Sequence, residues 1–455
     1  MSMGFVLFLL TAALEIVLAV ITCAKATDKK VWRKNRLFMR LAEIVTVIVA
    51  ILLPFGQKWR LTGALVTLGV LAFIVALTIL VKRKKEESDV RKGKAIGSCI
   101  LSILLIGFAL VPAFVFTGYK GLPTSGEYAV REISAILVDD TRTDPFENDG
   151  SCREVPVHFY YPETEPGSTE RFPLVVFSHG AFGYYQSNTS TYMELASNGY
   201  VVAALDHPHH AFFTKDTDGK TVIVDFGFMN TALTLNEETD AEGQYALYTE
   251  WMGLRTADMG FAVDKIKAAA ASGSTDAGWF VSDRDSDAIR TVLNMTDIER
   301  IGLMGHSMGG AAAVQLGRER DDIAAVIDVD GTMLSEYTGV ENGALTVRED
   351  PYAVPVLAFD NWDSYNDMEE YAAQGGLYPN VVMLKNASAG FQTTVRGSKH
   401  MDFTDLPLLS PLLGKLLGSG ERDTKETMTI VNSQVLEFFN CYLKGKGVFT
   451  VNEIY

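Results

Sequence analysis

Cysteine and histidine are scarce in this sequence, and each scarcity narrows the chemistry. Four cysteines in 455 residues cannot supply a disulfide scaffold, and Cys23 and Cys99 lie inside apolar runs. That leaves Cys152 and Cys441, whose pairing is open; an isolated cysteine ordinarily reads as a small buried hydrophobe. Seven histidines leave few candidates for a general base. The cluster Asp206-His207-Pro208-His209-His210 invites a metal reading, but no second His/Cys/Asp set stands at zinc-like spacing. It reads better as rim structure or a substrate contact, and no metal or cofactor is expected. Basic residues are short where nucleic acid would need them. Beyond residue 120 there are 23 Lys and Arg against 50 Asp and Glu, the wrong balance for gripping phosphates. Internal repeats and low-complexity tracts are absent from the sequence as well.

What the first 120 residues do contain is apolar runs and positive charge, with 17 Lys and Arg against 6 Asp and Glu. Four runs, Met3–Ala24, Leu37–Phe55, Leu61–Val81 and Ala95–Thr117, each approach the ~20 residues that cross a bilayer. The first run is read as a retained span, because Met1-Ser2 lacks the basic residue of a signal peptide. Lys25 to Arg40 and Lys82 to Lys94 are strongly basic, whereas only Lys58 and Arg60 lie between the second and third runs. The positive-inside rule then puts both basic loops in the cytoplasm and everything after Thr117 outside. The expectation is a multi-pass cell-membrane protein, residues 1–120, carrying an extracytoplasmic domain at 121–455. Glu15, central in its span, reads as a packing or helix-paired carboxyl rather than an ion site.

From Tyr128 onward short apolar runs alternate with helix-like stretches, the pattern of an α/β sheet. Strands are expected at Ala129–Val138, Glu154–Tyr161, Leu174–Phe177, Tyr200–Leu205, Ile301–Met304, Ile323–Val329, Val354–Phe359 and Asn380–Leu384. Several are continuously apolar, as strands covered on both faces are. Helices are expected at Ser190–Ser197, Gly253–Ala271, Gly309–Arg318 and Lys425–Leu443. Residues 211–250 show no clear period and stand where a lid or substrate wall is usually inserted.

Within this pattern, Ile301–Met304 runs into Gly305-His306-Ser307-Met308-Gly309, followed by a small-residue helix. G-x-S-x-G is a weak signal alone. With a strand before it and a helix after, it reads as a nucleophile elbow of the α/β-hydrolase fold. Serine needs a base, itself oriented by an acid. In this fold the chain order is Ser, acid, His, and His400 is the only histidine after Ser307. Local sequence leaves the acid open between Asp330 and Asp360, each at the end of a strand, with Asp328 a weaker third. The oxyanion hole needs two backbone N–H groups. Met308 supplies one, and Ala181, in Ser178-His179-Gly180-Ala181, is the choice for the other.

FSHG at Phe177–Gly180, Asp206-His207, GHSMGGA around Ser307 and GSKHMDFTD around His400 together resemble the platelet-activating-factor acetylhydrolases and related bacterial esterases. RTDPF near Arg142 and REVPVHFYYP after it resemble that family's opening. The resemblance covers about residues 120–445 and excludes the apolar front. It implies a metal-free hydrolysis of short or oxidised acyl chains from phospholipids and other small esters. It also implies that the acid follows the strand after the nucleophile helix, which favours Asp330. Ala181-Phe182 departs from the family's pattern, so the acyl pocket is expected to differ in shape. An acyltransferase on the same fold is the nearest alternative. A membrane sensor or transport accessory protein is the alternative from another class.

Overall fold

The computed structural model describes residues 3–24, 28–52, 59–81, 91–116, 121–165, 167–235, 239–282 and 285–455. It divides into two compact units: Met1–Lys120 with Leu409–Leu413, and Gly121–Leu408 with Gly414–Tyr455.

The first unit is four helices, Met3–Ala24, Lys29–Leu52, Trp59–Val81 and Lys92–Val115. Among the described residues one stretch, Thr62–Val81, is long and apolar enough to cross a membrane, with Leu9–Ala24 a shorter apolar helix. Of the four spans expected from the sequence, this shows only the third by length and composition. The second span was placed at 37–55, but its helix begins at Lys29 and takes in Lys30, Arg33, Lys34, Arg36 and Arg40. Lys and Arg are good helix formers, and no Gly or Pro stands there to stop the helix. Residues 53–55 and 117, and the basic residues Lys25, Lys58 and Lys82–Lys85, lie outside the described residues. Inside this unit polarity is inverted. Glu15, Arg40 and Glu43 are buried, while Val70, Phe73, Ile74, Leu104 and Phe108 are exposed. Arg40 pairs with Glu15 and, at 2.7 Å, with Glu43.

The second unit is built on a nine-stranded sheet. In spatial order its strands are Gly390–Thr394, Val356–Asp360, Ile323–Val329, Thr296–His306, Phe172–Ser178, Val201–Leu205, Cys152–Pro162, Val130–Thr143 and Trp279–Phe280. The first six are parallel, and the remainder pair antiparallel. Val175, Val176, Ala203, Leu303 and Ile327 are fully buried, because helices cover both faces and leave the strands no polar side. Ala241–Ser272 and Met308–Glu319 pack on one face through Met259, Val263, Ala312 and Leu316. Thr189–Ser197 and Thr424–Lys444 pack on the other through Tyr192, Leu195, Val431 and Phe438.

Three further expectations are corrected. Asn380–Leu384 is helical, within Pro379–Asn386. A short apolar run fits strand or buried helix equally, and Pro379 at the first helical position decides for helix. The last strand lies further on, at Gly390–Thr394. The helix expected from Gly253 begins at Ala241, capped by the Asp240 carboxylate on Gly243 N–H. The described residues of the 211–250 stretch form a hairpin, Phe213–Lys215 with Thr221–Ile223, a helix, Phe226–Thr234, and the first turns of Ala241–Ser272. Cys152 and Cys441 are free thiols.

Candidate active site

Ser307 sits at the turn between the strand ending at His306 and the helix beginning at Met308. Its φ is +55° and ψ −128°, a conformation that strains a non-glycine residue. The flanking glycines make the turn possible. A Cβ on Gly305 would stand 2.2 Å from the Gly309 carbonyl carbon, and one on Gly309 would stand 2.1 Å from the Ser178 carbonyl oxygen. The Ser307 backbone N–H is held by the Val329 carbonyl at 2.8 Å. The hydroxyl donates to no protein acceptor among the described residues, and bonds of this kind commonly tighten only with substrate bound.

Asp330 follows the neighbouring strand and also has positive φ, +56°. Its N–H donates to the Phe359 carbonyl at 2.6 Å. The unusual φ turns the carboxylate off the strand direction toward His400, whose Nδ1 donates to Oδ2 at 2.6 Å. Asn361 fixes the other side, its backbone N–H donating to Oδ1 at 2.6 Å and its amide to both oxygens. Burial pushes the Asp330 carboxyl up, but the bonds from His400 and Asn361 outweigh it and hold it below the usual range. Burial likewise lowers His400, while the Asp330 bond and charge more than compensate and raise it. Asp360 is turned elsewhere, accepting from Gln392 Nε2 at 2.9 Å. Burial, with the nearby Asp330 charge, lifts Asp360 to about 7. Asp328 is fully enclosed and raised by burial and by both neighbouring carboxylates. Of the three acids the sequence left open, Asp330 is joined to His400.

His306 links the parts. Its Nε2 lies 3.3 Å from the His400 carbonyl, and its ring tilts against the His400 ring with centroids 4.6 Å apart. Burial, then the His400 charge, lowers His306 to about 3, so it is neutral and donates. On its other side lies the loop after Phe172–Ser178. A Cβ on Gly180 would come within 2.8 Å of His306 Nδ1 and 3.2 Å of Ser307 Cβ. Ala181 and Met308 therefore flank the serine. Neither backbone N–H has a protein acceptor among the described residues. Phe182, with φ +60°, packs on Phe228 at 5.5 Å. Phe228 stacks on His210 at 3.7 Å and meets Trp251 edge-on. The aperiodic insertion thus forms an aromatic wall beside the oxyanion loop.

The 206–210 cluster is dispersed. Asp206 accepts from the Tyr185 N–H at 2.7 Å, His209 stacks on Phe146, and His210 meets Arg255 Nε at 3.3 Å. His207 reaches Ser178 Oγ through Nε2 at 2.8 Å and Asp258 through Nδ1 at 3.0 Å. Asp258 is also gripped by Arg153 at 2.7 Å, and Arg153 by Asp144 at 2.9 Å. Ser178, His207, Asp258 and Arg153 are completely buried. Sequence reasoning missed this network and Asn361. The available signal was charged residues within apolar periodic segments, such as Arg255 and Asp258 on a core helix.

The sequence matches the family model for platelet-activating factor acetylhydrolase, isoform II, over residues 155–450. It is 26% identical over 300 residues to the platelet-activating factor acetylhydrolase of Gallus gallus, covering 63% of this chain and 65% of that protein. For the Cavia porcellus enzyme the figures are 21% over 288 residues, 60% and 58%. The chain thus spans about three fifths of these relatives' length. The structure resembles a ferulic acid esterase from Streptomyces cinnamoneus with TM-score 0.51 and 20% identity, covering 73% of this chain and 95% of the esterase. That likeness supports the α/β-hydrolase fold. Because the family match takes in the elbow, Asp330 and His400 together, the chain belongs to the platelet-activating factor acetylhydrolase, isoform II, family.

Proposed function

We propose that this protein is a serine-dependent carboxylic-ester hydrolase acting on lipid-like or short-chain acyl esters. The observation that carries the reading is the 2.6 Å bond from His400 to Asp330 beside a strained serine elbow. His400 takes the Ser307 proton as the hydroxyl attacks the ester carbonyl, and Asp330 stabilises the imidazolium that forms. The Ala181 and Met308 N–H groups receive the negative charge on the carbonyl oxygen. His400 then returns its proton to the leaving alcohol, and a water molecule, deprotonated by the same imidazole, releases the acyl group from Ser307. No step calls for a metal or cofactor. The substrate class, small esters or phospholipid-like molecules, is inferred from the family. Purified full-length protein should hydrolyse short-chain p-nitrophenyl esters, and Ser307→Ala should abolish the activity while leaving the fold intact. Hydrolysis retained by Ser307→Ala would refute the assignment.

The same proposal makes the first unit a four-helix membrane anchor with the hydrolase domain outside the cytoplasm. Its support is the inverted polarity of that unit. Apolar side chains such as Phe73 and Phe108, 58% and 73% exposed, face outward while Glu15, Arg40 and Glu43 face in. An apolar surface that large is costly in water and ordinary in lipid. Cys152 is exposed and supplies the test. A membrane-impermeant maleimide should modify it in intact cells, and Cys152→Ser should remove that signal. Labelling only after lysis would place the domain inside.

A further inference from the structure

Arg255 is fully buried on the helix Ala241–Ser272. Its hydrogen-bond partners are all neutral. Nη1 donates to the His179 carbonyl, Nη2 to the Gly180 carbonyl at 3.4 Å, and Nε to His210 Nδ1 at 3.3 Å. Among the described residues no carboxylate lies within ion-pair distance of it. Asp258, one turn along the helix, balances its charge without touching it. A buried cation that gains no direct ion pair is poorly explained by stability, since desolvation opposes it.

What the guanidinium does is geometric. In extended chain, successive carbonyls point to opposite sides. Here the carbonyls of His179 and Gly180 converge on one planar group. In a trans peptide the N–H points away from the carbonyl, so the N–H groups of Gly180 and Ala181 are both turned away from Arg255. Successive N–H groups facing one way form an anion-binding concavity. The Gly180 carbonyl is pinned further, accepting from His179 Nδ1 at 2.7 Å and Gly183 N–H at 3.1 Å. The same loop abuts the nucleophile, since a Cβ on Gly180 would come within 3.2 Å of Ser307 Cβ.

We propose that Arg255 is a positioning residue of the oxyanion hole, holding two consecutive carbonyls of the loop so that the Ala181 N–H is set to meet the developing oxyanion at Ser307. The inference rests on the ester-hydrolase reading above. It acts through the backbone of the loop, and Arg255 itself touches no substrate. A fork of donors suits two acceptors, which a lysine ammonium with its single point charge holds less well.

The test uses full-length protein in detergent, with wild type, Arg255→Gln and Arg255→Lys compared on one short-chain ester. In R255Q, kcat should fall about 100-fold, the scale of losing one oxyanion donor, while KM stays within about threefold. Affinity for a trifluoromethyl ketone, whose serine adduct carries an oxyanion, should fall by a similar factor. Affinity for the matching methyl ketone should hold. R255K should recover about tenfold in kcat, because it restores the charge and a donor to one carbonyl. A folded R255Q with kcat within about threefold of wild type would overturn the proposal. So would a kcat loss without a parallel loss of trifluoromethyl ketone affinity, or loss of fold in both variants, which would make Arg255 a structural ion only. Wild type without ester hydrolysis would instead defeat the underlying functional reading.

Discussion

Among the described residues three sets, Ser134–His158–Asp206, Ser178–His207–Asp258 and Ser307–His400–Asp330, bring a serine, a histidine and an aspartate together, and the last two differ in nearly everything except composition. Ser178–His207–Asp258 is the more completely bonded, with its serine to histidine at 2.8 Å and its histidine to aspartate at 3.0 Å, yet all three residues are fully buried. Burial lowers His207 to about 4, and Arg153 occupies its aspartate. Ser178 ends a strand with no helix N-terminus behind it. Ser307–His400–Asp330 has a looser serine but a half-exposed histidine raised by its aspartate. Its strained elbow places Met308 N–H at a helix start. A triad is therefore defined by access, by a base poised near the working pH, and by donors for the oxyanion. Hydrogen-bond quality in the resting protein is the least informative criterion. The buried chain is a scaffold: its network of His207, Asp258 and Arg153 underlies the loop that carries Ala181.

The contrast is sharpest under substitution at the acids. Asp330→Asn keeps shape but removes the charge that stabilises the imidazolium, and kcat should fall by about 10⁴-fold. Asp360→Asn and Asp328→Asn should stay within about tenfold, since neither carboxyl contacts His400. Steady-state kinetics on one soluble ester separates these outcomes, and a crippled Asp360→Asn would transfer the acid to that position.

A second, smaller effect concerns pH. His400 must be neutral to accept a proton, and Asp330 raises it. In wild type, kcat/KM should climb with pH through a midpoint above about 6.5, the ordinary histidine value. The residual activity of Asp330→Asn should have its midpoint shifted downward. An unmoved midpoint would mean that another group sets the acid limb.

Asp360 gives an effect on stability rather than rate. Its folded value, about 7, lies above the ~3.9 of an unfolded chain. The folded state therefore keeps a proton that the unfolded state gives up, and stability falls as pH rises from about 4 to about 7. Asp360→Asn removes that penalty, so its melting temperature should exceed wild type by about 3 °C or more at pH 8 and by much less at pH 4. Equal shifts at both pH values would show that the carboxyl is not neutral in the fold.

What the sequence made legible follows the same physical divide. Ser307 and His400 were readable because an elbow needs local residue types and because chain order leaves one histidine. Local sequence leaves the acid open, because Asp330 and Asp360 both end apolar strands, and only the family resemblance favours Asp330. In the structure the positive φ at Asp330 and the clamp from Asn361 separate them. The buried network was invisible because its partners are distant in sequence; Arg153 and Asp258 stand 105 residues apart. Segment Asn380–Leu384 was misread because a short apolar run carries no period, and the Arg255 contacts join a helix to a loop 75 residues earlier.

The smallest expected effect is at the second serine. Ser178→Ala removes one buried hydrogen bond, which costs about 1 kcal/mol of stability, and should leave kcat within about threefold. This leads to the most direct test of the account. Full-length wild type, Ser178→Ala and Ser307→Ala are treated with a fluorophosphonate, and the labelled peptide is mapped by mass spectrometry. Wild type and Ser178→Ala should carry one phosphonyl group on Ser307, and Ser307→Ala should carry none. Labelling at Ser178, or persistent labelling in Ser307→Ala, would contradict the claim that access and strain at the elbow choose the nucleophile.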